Sequence, residues 1–353
     1  MELTNTLLEI QQKLKNKDFG SYALLVGCGD REWQYMSEDV DPDTYFDAAS
    51  IGKVFPTTAL ALQAMGRGLL SLEDTLQKFF PFVPEDKKDI TVRHLMTHTS
   101  GMLRRPYPEG LGHSGRDGVA KFIFSNPLVY EPGTGFAYCC DGIMLLGLIV
   151  EKAFGVSLEK AFEEYIKKPL GMTRSTYHIR MDEKNAVMCN HRADLGGSIY
   201  DDDNVRQLCG IPAGNGGLFI TAGDLQKFVK ALIARDERLY PAAFFDLAEQ
   251  NYTKGLPVLD GNRSTENYGL GFVYVNESCE QARDLFPEGS IGHVGWSGQS
   301  FYLNRERELY VILLTNSMRY QNLEKKLNGM ERNRAVHQMR IDIHRAIKKD
   351  LRV

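Results

Sequence analysis

The sequence predicts an α+β fold: a largely antiparallel sheet flanked by N- and C-terminal helices, with a mostly helical lobe inserted between its strands. Three observations carry this reading. Strand-like runs stand near both ends of the chain, at 21–36 and at 268–314, so early strands have to pair with late ones. The long middle is punctuated by helix-start signals instead. Both termini repeat apolar residues at helical spacing, Leu3, Leu7, Ile10 and Leu14 at one end and Val336, Met339, Ile343 and Ile347 at the other. One domain over 1–353 is expected, with a sheet lobe from 1–60 plus 255–353 and a helical lobe from 61–254.

In chain order, the first helix gives way to a hairpin, Ser21 to Cys28 and Glu32 to Met36, about the turn Gly29-Asp30-Arg31. Asp47, Ala48 and Ala49 then lead into an apolar run from Val54 to Met65. That pattern predicts a helix with Ser50 on its first turn and Lys53 one turn later on the same face. Ser71-x-x-Asp74, Thr91 ahead of Val92 to Met96, and Thr221-x-x-Asp224 each put a hydroxyl where an N-cap belongs. The stretches Gly101 to Gly118 and Met188 to Pro212 lack periodicity and read as long loops, and Ile143 to Val150 reads as an apolar helix. Tyr268 to Val275, Gly289 to Trp296, Ser300 to Leu303 and Leu309 to Leu314 are strand-like, and Lys325 to Val353 returns as helix over the sheet.

Composition narrows the function classes. A net charge of -4 gives no electrostatic case for nucleic acid or an anionic membrane. The basic residues Arg340, Arg345, Lys348 and Lys349 are expected on a solvated helix face. Six irregularly spaced cysteines argue against a disulfide framework and suit a reducing compartment. The longest apolar run, 143–150, falls far short of the roughly 20 residues a bilayer demands, and the N-terminus lacks the apolar core of a secretion signal. A cytoplasmic protein is therefore expected, and its oligomeric state stays open. No phosphate loop or dinucleotide fingerprint occurs, so no cofactor is expected. His94 and His98 stand i,i+4, but no Glu follows His94 and no third ligand has a recognisable spacing, so no metal is expected either.

Chemistry centres on Ser50-Ile51-Gly52-Lys53. A serine at a helix start has free backbone N–H groups for a developing oxyanion, and a lysine one turn on lies within reach of its hydroxyl. About one S-x-x-K is expected by chance in a chain of this length. A second copy, Ser157-Leu158-Glu159-Lys160, reads as the N-cap of an amphipathic helix. Ser50 therefore needs partners, and two later stretches supply them: Phe136-Ala137-Tyr138-Cys139-Cys140-Asp141, and Gly292-His293-Val294-Gly295-Trp296-Ser297-Gly298. Together the three stretches resemble the penicillin-recognising serine hydrolases, most closely the class C β-lactamase-like branch with its S-x-x-K, Y-x-N and K-T-G or H-x-G motifs. The resemblance runs from about Phe46 to Asn316, includes His94-Leu95-Met96-Thr97-His98-Thr99-Ser100-Gly101, and implies the β-lactamase/transpeptidase-like fold with its site in the seam between lobes.

The resemblance implies roles. Ser50 would be the acyl-accepting nucleophile, and Tyr138 its general base beside Lys53, since a nearby ammonium favours phenolate; the plainer alternative is an ordinary buried tyrosine. The backbone N–H groups of Ser50 and Trp296 would form the oxyanion hole. His293 would give polar support or substrate contact, and Gly295 would let the substrate backbone approach closely. Cys140 stands where relatives carry Asn, a departure expected to disfavour β-lactams and peptides more than simple esters. Asp201-Asp202-Asp203, preceded by Tyr200 and followed by Asn204, resembles a loop of the family and reads equally as solvated surface. The implied function is a serine hydrolase forming an acyl-enzyme on a small ester, amide or β-lactam. The H-x-G motif and the missing secretion signal tilt this toward a carboxylesterase. The alternatives are a β-lactamase or DD-carboxypeptidase, an acyltransferase, and a non-catalytic binding protein on the same scaffold.

Overall fold

In the computed structural model, which describes residues 2–180, 182–189, 207–259 and 267–353, the two ends of the chain meet in one sheet. The strands are β1 (Tyr22–Cys28), β2 (Arg31–Met36), β3 (Tyr45–Asp47), β4 (Phe219–Thr221), β5 (Asn267–Tyr268), β6 (Val273–Tyr274), β7 (Ile291–Val294), β8 (Ser300–Asn304) and β9 (Leu309–Thr315). The main sheet has the order β2-β1-β9-β8-β7-β6-β5, and every neighbouring pair is antiparallel. β1 pairs directly with β9, Leu24 opposite Leu313, so the early hairpin closes onto the late strands as the sequence predicts.

The helices are α1 (Thr4–Lys15), α2 (Ala59–Gly66), α3 (Leu76–Phe79), α4 (Val92–Met96), α5 (Gly115–Phe124), α6 (Cys140–Phe154), α7 (Leu158–Phe162), α8 (Lys168–Leu170), α9 (Ala222–Ile233), α10 (Ala243–Ala248), α11 (Ser317–Leu323) and α12 (Gly329–Leu351). Strand periodicity divides the core between the two faces of the sheet. Leu24, Val26, Val311 and Leu313 pack with Ile10 of α1 and with Val336, Met339, Ile343 and Ile347 of α12. Ala23, Leu25, Ile312 and Leu314 face the other way, into a core shared with Leu60, Leu145 and Phe228 from α2, α6 and α9. α12 also ends the exposure of α1's first amides: Asp350 accepts from the N–H groups of Asn5 and Thr6 at 3.0 and 2.8 Å.

Four local expectations are corrected. The helix predicted to carry Ser50 on its first turn begins only at Ala59. Before it come a 3-10 turn, Ala49–Lys53, and a wider turn, Val54–Thr58, in which Phe55 has φ -113° and ψ 100°. Pro56 explains the break, because it donates no hydrogen bond and pushes the residue before it out of the helical region. The single strand expected over Tyr268 to Val275 is two, β5 and β6, separated at Gly271, whose φ of 78° and Cβ-sized space already filled by Thr58 Oγ1 admit no other residue easily. Ser71 caps no helix: its N–H donates to Asp74 Oδ2 at 2.9 Å across a turn, and α3 starts after Thr75. Arg340 is not solvated but 1% exposed, whereas Arg345, Lys348 and Lys349 do lie on the outer face. The sequence also gave no warning of the small sheet in which β3 pairs with β4. Asp201, Asp202, Asp203, Asn204 and Tyr200 lie outside the described residues, and no described helix is long and apolar enough to cross a membrane.

Candidate active site

The β3–β4 pairing delivers the nucleophile's turn. Phe46 pairs with Ile220, Ala48 N–H continues the ladder by donating to Leu218 O at 2.9 Å, and the chain then bends at Ala49, whose φ of 46° is costly for a residue with a Cβ. Ala49 N–H donates to Asp47 Oδ1 at 2.8 Å, and Ile51 N–H to Ala48 O at 3.0 Å. Between them, the N–H of Ser50 makes no hydrogen bond to any described residue, as expected of a first-turn amide.

Lys53, one 3-10 turn on, is buried, and its Nζ donates to Ser50 Oγ at 2.7 Å and to Asn215 O at 2.9 Å. The same ammonium stands 5.1 Å from the centre of the Tyr138 ring. Burial pulls the lysine's pKa down, but neighbouring Cys140 and Tyr138 more than offset it, so Lys53 sits above the ordinary lysine value. For Tyr138 burial is again the largest influence, and it raises the pKa. The Lys53 charge and hydrogen bonding with Ser50 and Lys53 act the other way without reversing it. The expectation that the ammonium leaves Tyr138 more easily ionised is thus corrected: its pull is real, but desolvation outweighs it.

Two histidines shape the wall behind Tyr138. His98 Nδ1 accepts from Cys139 N–H at 3.2 Å, and its ring lies 4.7 Å from that of Tyr138. His293, on β7, is fully buried with Nδ1 2.9 Å from Val294 O, and its ring centre lies 6.3 Å from that of Tyr138. Burial, then the Lys53 charge, pushes His293 down to about 3 and His98 well below the ordinary histidine range, so both imidazoles are neutral. His293 therefore presents no surface to a substrate. His94 is a capping residue: Thr91 N–H donates to its Nδ1 at 3.2 Å, and His94 N–H donates back to Thr91 Oγ1 at 3.3 Å.

Gly295, just past β7, lies against the nucleophile's turn. A Cβ there would fall 2.8 Å from Ala48 O and 3.3 Å from Ala49 Cβ, so any side chain would wedge the third motif away from Ser50. Ser297 Oγ reaches Asp47 O at 3.4 Å and Gln299 Oε1 at 2.6 Å, tying the same loop to the end of β3. Trp296 is 44% exposed, its indole N–H donating to Asn333 Oδ1 at 3.1 Å. Cys140 opens α6 next to Tyr138, buried and near enough to Lys53 to bear on its charge. The structure thus brings Ser50, Lys53, Tyr138 and Cys140 together, with Gly295 against the same turn, Trp296 next to it in the chain, and His293 behind Tyr138.

Sequence reasoning missed four contributors. Asn215 supplies the carbonyl that holds Lys53, and the glycine-rich run Gly214-Asn215-Gly216-Gly217 was its signal. Arg340 belongs to the buried stripe by spacing alone, four residues after Val336 and three before Ile343. The third and fourth are Tyr107 and Asp141, whose hydroxyl and carboxylate meet at 2.9 Å beside Cys140 with the carboxylate fully buried. Burial lifts Asp141 from 3.8 to about 6, against hydrogen bonding from Tyr107 and the charges of Arg104 and Arg105. A carboxyl group raised on folding binds its proton more tightly in the native state. It therefore favours the fold at low pH and costs stability as pH rises from about 4 through about 6. Asp141→Asn, which keeps an acceptor for Tyr107, is expected to be more stable than the wild type above pH ~6, by about 3 kcal/mol at most, and no more stable below pH ~4. Thermal midpoints of the two proteins across this range check it; a constant difference would reject the buried carboxylate as the cause.

Residues 9–331 match the family described as Beta-lactamase. Esterase EstB of Burkholderia gladioli is 27% identical over 337 residues, 84% of this chain and 82% of the esterase. Penicillin-binding protein 4* of Bacillus subtilis (strain 168) is 28% identical over 288 residues, which cover 74% of this chain but only 58% of that protein. Among solved structures, a mutant simvastatin synthase (LovD) of Aspergillus terreus superposes with a TM-score of 0.73 at 22% identity, covering 98% of each chain. That likeness bears on the fold.

Proposed function

The chain belongs to the beta-lactamase family, and we propose that within it the protein is a serine hydrolase of the carboxylesterase type, acting through an acyl-enzyme on Ser50. The contact of Lys53 Nζ with Ser50 Oγ at 2.7 Å carries the reading. Because the ammonium donates to Oγ, the serine's own proton is directed to a different acceptor. Tyr138, hydrogen-bonded with Ser50, offers its phenol oxygen. Held above its ordinary pKa, the phenol is neutral at rest, and the reactive form is its minor phenolate, which the Lys53 charge favours. That phenolate takes the Ser50 proton as Oγ bonds to the substrate's carbonyl carbon, and passes the same proton to the leaving alkoxide as the C–O bond breaks. The carbonyl oxygen, negative in between, faces the backbone N–H groups of Ser50 and Trp296. Water then attacks the acyl group by the same relay, and Ser50 regains its proton.

The narrower choice of simple esters rests on Cys140. A thiol is a poor substitute for an amide that donates to an acylamino carbonyl, and a simple ester presents no such group. Asp141, fully buried and bonded through Oδ1 to Tyr107 at 2.9 Å, offers a substrate no exposed acceptor in the amide's place. The similarity to an esterase over more than four fifths of both chains supports the same reading. The test compares turnover of p-nitrophenyl acetate and butyrate with that of a chromogenic cephalosporin and a D-Ala-D-Ala peptide. Esters are expected to be favoured, and Cys140→Asn to shift the ratio toward the lactam by about tenfold or more, the size of one good hydrogen bond. Faster cephalosporin than ester turnover in the wild type would overturn the esterase reading, and an unchanged ratio in Cys140→Asn would remove position 140 from substrate choice.

A further inference from the structure

We propose that Arg340 is a positioning residue for the oxyanion hole, holding the Gly295–Trp296 peptide so that the Trp296 N–H is turned toward Ser50; the inference rests on the acyl-enzyme reading above. Arg340 projects from α12 and is 1% exposed, a large desolvation cost for a cation on a helix that has ample polar surface elsewhere. Its Nη2 donates to Gly295 O at 2.5 Å and to Gln299 O at 3.0 Å, and its Nη1 to Gln281 Oε1 at 2.7 Å. The first two acceptors are the two ends of the loop that joins β7 to β8, and that loop is also closed by Gly295 N–H donating to Gln299 O at 2.7 Å. One guanidinium therefore grips both ends of the segment that carries Trp296.

The geometry of the peptide bond turns this grip into an orientation. In a trans peptide the carbonyl of one residue and the N–H of the next point in opposite directions. Fixing Gly295 O toward Arg340 therefore fixes the Trp296 N–H away from it. Arg340 lies on the face of the sheet covered by α12, whose Val336, Met339 and Ile343 share a core with β1 and β9. Ala48 and Ile51, which flank Ala49 and Ser50, belong to the core on the opposite face. Ala48 and Ala49 fill the space that a side chain on Gly295 would need. The N–H thus faces the side on which the acyl oxygen arrives. A positive charge on the carbonyl end also polarises the peptide and strengthens its N–H as a donor at the moment negative charge develops. Lysine in place of arginine supplies charge but has no planar fork to span two carbonyls.

A loosely held oxyanion donor differs from a damaged fold in what it does to a thionoester. The C=S group accepts hydrogen bonds poorly, so its turnover depends less on this donor than that of the matching ester. The experiment measures kcat and KM of wild type, Arg340→Gln and Arg340→Lys on p-nitrophenyl butyrate and on its thionoester, with thermal unfolding of each protein. Arg340→Gln is expected to lower kcat on the ester about 10- to 100-fold with KM changed less than about threefold, and to lower kcat on the thionoester at least about fivefold less. Arg340→Lys is expected to fall between, and it carries the test by itself if Arg340→Gln does not fold. Equal losses on ester and thionoester, a change confined to KM, or no loss would overturn the proposal while leaving the nucleophile assignment standing. A wild type that turns over no ester would overturn the proposed function and this inference with it.

Discussion

Ser50→Ala is expected to abolish turnover of p-nitrophenyl esters, a loss of at least about a thousandfold, with the fold intact. The substitution removes the atom that accepts the acyl group, so no residual route through Lys53 or Tyr138 yields an acyl-enzyme ester. The backbone cost is small, because Ser50 is half-buried and its side-chain contact to Lys53 is replaced in part by the bond Lys53 keeps to Asn215 O at 2.9 Å. Ser157→Ala is the matched control with the same local motif. It deletes an N-cap bond from Lys160 N–H at 3.2 Å, costs about 1 kcal/mol of stability, and leaves turnover unchanged. Steady-state rates with thermal midpoints for both variants check the pair, and comparable activity in Ser50→Ala and wild type would end the assignment.

Tyr138→Phe is expected to lower kcat at least about a hundredfold, the usual range for a lost general acid or base. The ring's packing survives the change. It lies 4.7 Å from His98 and 6.0 Å from Tyr268, contacts that need no hydroxyl. Neither neutral histidine replaces the relay, because burial and the Lys53 charge hold both well below the ordinary histidine range and leave them poor bases. Since burial raises the phenol, its removal also relieves a desolvated hydroxyl, so the variant is expected to unfold at a temperature no lower than the wild type by more than a few degrees. Near-normal turnover in Tyr138→Phe would move proton transfer to Lys53 alone.

What the sequence made legible follows from the range of the interactions involved. Ser50 and Lys53 could be paired from spacing because one turn of either a 3-10 or an α-helix puts residues three apart on the same side. The break at Phe55 was legible in principle, since Pro56 stands in the run, but the apolar pattern from Val54 to Met65 masked it. The pairing of β1 with β9 could be inferred because both are continuous apolar runs that need neighbours. The pairing of β3 with β4 could not, because three residues on each side carry no readable period and meet across more than 170 positions. Tyr107 and Asp141 meet through a loop for the same reason. Arg340 shows a different failure: charge was read ahead of position, although its spacing from Val336 and Ile343 already placed it on the buried stripe.

The proposed chemistry stands or falls with Ser50 as the nucleophile beside Lys53 and Tyr138. The most direct test is the intact mass of the protein after reaction with a fluorophosphonate, followed by peptide mapping of the adduct. A single adduct is expected, on the peptide containing Ser50, in the wild type and in Ser157→Ala, and none in Ser50→Ala. An adduct of equal yield in Ser50→Ala, or one mapped to any other residue of the wild type, would contradict it.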